Sequence, residues 1–253
     1  MNTTKIRNLE IGSGKPKIIV PIVGVTRDEI LQEAHAFHSF PADVAEWRAD
    51  WFENVFDTQE VTDLLKELRS ILGEIPLLMT FRTSKEGGEK EISLEKYAEL
   101  NVLAAQSGYV DLIDIEIFSG DEIVNSMISQ IHDAGVKVIA SNHDFYKTPS
   151  KEEIIRRLCK MQDMNADILK IAVMPQNSAD VLTLLSATNE MITQHADRPV
   201  VTMSMSGTGV ISRLCGEVFG SSMTFGAASK ASAPGQMAVN DLNTILDLLH
   251  QSV

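Results

Sequence analysis

Short apolar runs alternate along the chain with longer stretches of helical period. The runs cover residues 17–20, 43–48, 77–82, 111–116, 136–140, 168–173, 199–203 and 223–226. Each is short, rich in branched or apolar side chains and nearly continuous, the pattern of a strand buried on both faces. Between them the period changes. Val61, Leu64, Leu65, Leu68, Ile71 and Leu72 lie on one helical stripe, announced by Asp57 with Glu60 three residues on. Ser150-Lys151-Glu152-Glu153 has the capping-box pattern and opens a helix that buries Ile154, Ile155, Leu158 and Met161. Val239, Leu242, Leu246 and Leu249 stripe a final helix. Strand-plus-helix units therefore recur about every 30 residues, the size of a βαβ unit. Eight of them within 253 residues predict an α/β fold, a TIM (β/α)8 barrel spanning residues 1–253 as a single domain. Residues 5–11, followed by Gly12-Ser13-Gly14, predict an N-terminal β-hairpin that closes one end. An open doubly wound sheet is the competing arrangement, but no GxGxxG follows the first strand.

Composition narrows the functions. With 22 Lys and Arg against 35 Asp and Glu, the formal charge is −13, which disfavours nucleic acid and anionic membrane surfaces as partners. A hydrophobic content of 44% excludes disordered and fibrous classes. No run approaches the roughly 20 apolar residues of a membrane span, and residues 1–14 lack the apolar core of a signal peptide. The expectation is a cytoplasmic protein. Cys159 and Cys215 have no CxxC or histidine neighbour and read as packing residues.

In such barrels chemistry gathers at the C-terminal ends of the strands. Those ends carry Glu46-Trp47-Arg48, Arg82 with Thr83 to Gly88, Asp114 and Glu116, Ser141-Asn142-His143-Asp144, and Met203 to Gly207 with Arg213 further on. Lys170 interrupts an apolar strand. Alternation places Leu169, Ile171 and Val173 on one face and Ile168, Lys170 and Ala172 on the other. The bulkier set suits the helix layer, so Lys170 points into the barrel. A desolvated amine there is a Schiff-base nucleophile. The alternative is a lysine that points outward or pairs structurally with Asp114 or Glu116. His143 follows the neighbouring strand and is suited to proton transfer. His35, His38, His132, His195 and His250 read as surface residues, and no spacing suggests a metal site. The small-residue segment 227–236 reads as backbone that approaches a ligand closely or acts as a hinge, the alternative being a plain flexible loop.

Taken together, Glu46-Trp47-Arg48, Phe81-Arg82 with Lys85-Glu86-Gly87-Gly88, Ser141-Asn142-His143-Asp144-Phe145, Lys170-Ile171-Ala172-Val173-Met174-Pro175, Gly209-Val210-Ile211-Ser212-Arg213 and Ala231-Ser232-Ala233-Pro234-Gly235-Gln236 resemble the type I 3-dehydroquinate dehydratases. The resemblance runs from the first strand to the final helix. It implies a TIM barrel, usually homodimeric and free of metal or other cofactor. The implied reaction converts 3-dehydroquinate to 3-dehydroshikimate and water in the shikimate pathway. Lys170 would form an imine at the C3 ketone. His143 would abstract the C2 proton and protonate the leaving C1 hydroxyl, with Glu86 orienting it. Arg213 would hold the carboxylate. Glu46, Trp47, Arg48 and Arg82 would form the substrate-binding wall, and Ser232 and Gln236 would close from the lid. Two positions depart from the family pattern: Pro21 stands where some members place a substrate-contacting serine, and Gly207 where a lysine is common. The rival readings are a Schiff-base aldolase or transaldolase and a non-enzymatic binding protein on the same scaffold.

Overall fold

The computed structural model describes residues 3–228 and 232–253; Ser229, Lys230 and Ala231, part of the predicted lid, lie outside the described residues. Strands β1 (Thr4–Ile6) and β2 (Leu9–Ile11) form the predicted antiparallel hairpin. Eight parallel strands follow: β3 (Lys17–Ile22), β4 (Val44–Arg48), β5 (Leu77–Thr80), β6 (Leu112–Glu116), β7 (Lys137–Asp144), β8 (Ile168–Val173), β9 (Val200–Ser204) and β10 (Met223–Ala227). Short β11 (Met237–Ala238) pairs with the end of β10. The ladder runs β10-β3-β4-β5-β6-β7-β8-β9. Its ends meet through a parallel bridge between Val200 and Ser221, with the Ser222 N–H donating to the Val200 carbonyl at 2.8 Å. The helices are α1 (Arg27–Ala36), α2 (Thr58–Leu72), α3 (Leu94–Gln106), α4 (Asp121–Asp133), α5 (Lys151–Asp163), α6 (Ser178–Glu190), α7 (Ile211–Leu214), α8 (Gly216–Phe219) and α9 (Val239–His250).

The pleat sorts each strand into two cores. Leu169, Ile171 and Val173 pack outward with the helix stripes, including Leu64, Leu68, Ile154 and Leu158. Ile168 and Ala172 pack inward with Ile19, Val44, Leu78, Leu112 and Ile139. Ile6 and Ile11 of the hairpin join that inner core, almost fully buried, and plug the N-terminal end of the barrel. The same end is stitched by a repeating device. Asp43, Asp111 and Asp167, each just before its strand, accept the N–H of Ile18, Leu77 and Val138 on the strand before, at 2.7, 2.8 and 2.9 Å. Ser221 plays this part for Thr202 at 3.0 Å. The stitches skip every second strand, so the barrel base is built of paired units.

Local capping follows the sequence with one exception. Asp57 accepts from the N–H groups of Gln59 and Glu60, as its position predicts. Ser150 accepts from the Glu153 N–H, but the Glu153 carboxylate turns to Arg156 and Arg157, so only half of the predicted capping box forms. Leu249 is 37% exposed and leaves the α9 stripe. His132 is also less exposed than predicted, because Asp167 holds its Nε2 at 2.8 Å. Both cysteines are half-buried, and burial pushes both thiols up, consistent with packing roles. Among the described residues no helix is long and apolar enough to cross a membrane.

Candidate active site

The pleat decides which polar residues meet. Glu46 and Arg48 face a cavity of about 490 Å3 at the C-terminal mouth, with Thr80 and Arg82 beside them. Trp47, one residue between Glu46 and Arg48, faces the other way. It is fully buried in the outer core, 6.2 Å from the Phe52 ring, and lines no wall of the cavity. Its predicted place in the substrate-binding wall is therefore corrected: successive side chains of a strand point to opposite faces.

Lys170 points inward, as alternation predicts, and is 4% exposed. It also has the partner that the alternative reading allowed: Nζ lies 3.0 Å from Asp114 Oδ2. The amine sits 4.6 Å from the centroid of the Phe225 ring. Asp114 is the hub of the floor. Its other oxygen accepts from Arg82 Nη2 at 2.7 Å and from the Ser141 hydroxyl at 2.5 Å. Burial alone would raise the Asp114 pKa, but Arg82, Lys170 and His143 outweigh burial and hold it far below the carboxylate range. Arg82 also donates to Glu116 at 3.1 Å.

The Ser141-Asn142-His143-Asp144 segment, expected just beyond a strand, lies on β7. Register pairs from Ser141–Lys170 to Asp144–Val173 extend the ladder with β8. His143 is thereby held on the strand beside Lys170, and both line the cavity. Glu86 reaches it from the loop after β5. That loop can fold back because Gly88 lies against the Arg82 carbonyl, where a Cβ would collide. One Glu86 oxygen accepts both the backbone N–H and Nδ1 of His143 at 2.9 Å. The other accepts from Asn142 Nδ2 at 3.0 Å. With Nδ1 turned to Glu86, Nε2 is left for the cavity. Burial, with Arg82 and Lys170, lowers the His143 pKa well below its usual value. Burial raises that of Glu86 to about 7 against the pull of Arg82.

The mouth holds two arginines in different states. Arg48 forms a two-pronged pair with Asp50, Nε and Nη2 each at 2.8 Å. Among the described residues Arg213, 2% exposed, meets no carboxylate: Nη2 donates to the Pro234 carbonyl at 3.1 Å, Nη1 faces the Met203 sulfur at 3.6 Å, and Nε has no partner there. Desolvation lowers its pKa to about 10. Its placement is built in by the sequence. Gly209 packs against the Ser204 carbonyl, where a Cβ would collide, and the Ser212 hydroxyl accepts the Ser204 N–H at 2.8 Å. Those contacts hold α7 on the end of β9. Across the mouth, Ser232 and Gln236 bond each other at 2.8 and 3.0 Å, and both line the cavity.

Nine of the ten predicted site residues thus surround one cavity. Asp50, the Ser141 contact with Asp114 and Phe225 on the wall were not assigned from sequence. Pro21 faces a separate pocket with Phe37, Phe40 and Ala228. Among the described residues, no group of three or more His, Cys, Asp and Glu side chains could hold a metal ion.

Fold and site define a (β/α)8 barrel whose C-terminal mouth encloses a buried lysine, an imidazole–carboxylate pair and an arginine that, among the described residues, meets no carboxylate. A family model, type I 3-dehydroquinase, matches residues 18–253. The chain is 56% identical over 249 residues to the 3-dehydroquinate dehydratase of Clostridioides difficile, covering 98% of each. It is 54% identical over 252 residues to that of Salmonella typhimurium, covering 100% of each. Its structure superposes with a TM-score of 0.97 on a crystal structure of the Clostridium difficile type I 3-dehydroquinate dehydratase with covalently modified comenic acid, at 55% identity, covering 100% of this chain and 99% of that one. The chain belongs to the type I 3-dehydroquinase family.

Proposed function

We propose that this chain dehydrates 3-dehydroquinate to 3-dehydroshikimate through an imine on Lys170. The observation that carries the reading is Lys170 buried on β8 beside His143, which lines the same cavity with Nδ1 engaged by Glu86. The Lys170 contact with Asp114 changes one expectation: desolvation alone does not supply a free amine, because a counter-ion sits at 3.0 Å. A proton must leave Nζ before attack, and His143, on the neighbouring strand and lining the same cavity, is suited to take it. The amine adds to the C3 carbonyl carbon, and His143 returns the proton to the carbinolamine oxygen, which leaves as water as the iminium forms. The iminium restores a positive charge at Nζ opposite Asp114. His143 Nε2 then takes the C2 proton, and the C2–H electron pair moves into an enamine. The enamine expels the C1 hydroxyl, which receives the proton from His143 and leaves as water. Hydrolysis of the imine releases product and restores the amine.

Arg213 receives the substrate carboxylate, and Glu46, Arg48 and Arg82 meet the ring hydroxyls. Because the iminium is the electron sink, the reaction is read as metal-free, and exhaustive chelation should leave the rate unchanged. The same reading gives a cytoplasmic homodimer, for which light scattering in solution is the check on assembly. The decisive experiment is formation of the product enone from 3-dehydroquinate, with borohydride trapping and peptide mapping. The reading expects an adduct on Lys170 and none in Lys170→Ala. Absence of dehydration, or an adduct on another residue, overturns it.

A further inference from the structure

Glu86 can orient His143 only while it remains an acceptor, and burial works against that. The groups that face it are Arg82 at 3.7 Å, Glu116, His143 and Asn142. Arg82 and the Asn142 amide favour the carboxylate, whereas Glu116 and burial oppose it. The Asn142 contribution depends on which way its amide points, because its two ends are nearly the same shape and opposite in hydrogen-bonding sense. Arg157 decides the direction. From α5, outside the barrel wall, its Nη1 donates to Asn142 Oδ1 at 2.9 Å. A guanidinium has no acceptor, so the amide oxygen must face Arg157 and the amide N–H must face Glu86. Arg157 is itself held from several sides: Glu153 accepts from Nε at 2.8 Å, Asp144 lies 3.8 Å away, and the Phe118 ring, shared with Lys160, lies 5.9 Å away. It lines neither the cavity nor the pocket behind Glu86.

We infer that Arg157, acting through Asn142, is a positioning residue that keeps Glu86 a hydrogen-bond acceptor for His143. The chain runs Arg157, Asn142, Glu86, His143, from the helix layer to the reacting proton. The inference rests on the reading of His143 as the proton carrier.

The test is the pH profile of kcat in Asn142→Asp and Arg157→Met. Asn142→Asp preserves size and gives Arg157 a carboxylate, so a merely structural role predicts an unchanged profile and an equal or higher melting temperature. Here the variant loses the donor to Glu86 and sets a second carboxylate against it. The acid limb of kcat should move up by about 1–2 pH units, the worth of one hydrogen bond to a charged group, with KM nearly unchanged. Arg157→Met frees the amide to turn and should move the limb in the same direction by less. Arg157→Lys, again a donor only, should restore most of it. Arg156→Ala, a neighbour that shares Glu153, should leave the profile alone. Folded Asn142→Asp and Arg157→Met proteins with the wild-type acid limb overturn the inference. If either variant fails to fold, a wild-type acid limb in the other overturns it, as does an Arg157→Lys limb shifted as far as that of Arg157→Met. Failure of the underlying reading is separable: the wild type would then show no dehydration, or His143→Ala would keep full activity.

Discussion

Arg213 offers a test in which the functional and structural readings predict opposite signs. It is a nearly buried cation with no carboxylate partner and an unbonded Nε. A base whose folded pKa is depressed opposes folding at every pH below that value. The drop from 12.5 to about 10, at about 1.4 kcal/mol per pKa unit, is worth about 3 kcal/mol against the native state. Replacing it by methionine, of similar length, removes that cost and forfeits the bond to the Pro234 carbonyl, about 1 kcal/mol net. Arg213→Met should therefore be more stable by about 2 kcal/mol. At about 2–4 °C per kcal/mol for a chain of this size, the unliganded protein should melt about 4–8 °C higher. Substrate binding should move the other way. Truncating one partner of a buried charge pair costs about 2–5 kcal/mol, so KM should rise roughly 30-fold to several thousand-fold. Differential scanning calorimetry with and without 3-dehydroshikimate reads both effects. Product should raise the wild-type melting temperature and leave that of the variant nearly unmoved. A variant that melts lower and binds normally would show Arg213 to be a packing residue and refute the reasoning.

Three further outcomes follow from the geometry. Because burial raises Glu86 to about 7, activity should fall as pH drops below that value. The sign for stability is opposite: a raised carboxyl opposes folding once ionised, so its protonation between about pH 7 and its ordinary 4.5 favours the fold, and paired rate and melting profiles of wild type and Glu86→Gln resolve the two. His143→Ala should accumulate substrate or product on Lys170, visible as a mass increase without borohydride, with kcat reduced at least about 10²–10⁴-fold; a destabilised protein without adduct would mark His143 as structural. Asp167→Ala, which leaves the Val138 N–H without its acceptor and frees His132 and Lys137, should cost about 1–3 kcal/mol in urea unfolding while kcat stays as it was.

The barrel was readable in the sequence because parallel strands covered on both faces are apolar throughout, and few other folds repeat such runs at this interval. The direction of Lys170 was readable for a related reason: its strand is regular, and alternation is a local rule. Trp47 went wrong by neglect of that same rule, since Glu46-Trp47-Arg48 was taken as one block although the pleat separates its members. The hub at Asp114 was only half visible. Two carboxylates on one strand face can be counted from sequence. Which of them meets Lys170, Arg82 and Ser141 depends on the stagger of four strands, which no local pattern encodes. The β7 extension was missed because Ser141-Asn142-His143-Asp144 is polar, and polar residues at a strand end read as loop. Here Lys170, Asp114 and Glu86 supply the polar surroundings that let those residues stay buried in the ladder.

The charges around the cavity explain how an acidic protein can take an anion. Arginines gathered at a site do not make it positive. Among the described residues Arg48, Arg82, Lys170 and Arg213 face Glu46, Asp50, Glu86, Asp114 and Glu116, four cations against five carboxylates, all within or just behind one cavity. Arg48 is spent on Asp50, and Arg82 and Lys170 are spent on Asp114 and Glu116. A substrate carboxylate placed near that floor would meet more negative charge than positive. Arg213 alone among these four lacks a carboxylate partner, and it stands at the mouth beneath the Pro234 carbonyl. On the proposed reading the anion therefore sits against Arg213, and that position orients the rest of the ring. With the carboxylate held at the mouth, the opposite side of the ring is directed to the floor, where Lys170 and His143 wait. On the proposed reading, orientation and affinity come from the same cation, and its desolvation is the cost of keeping it free of a protein carboxylate.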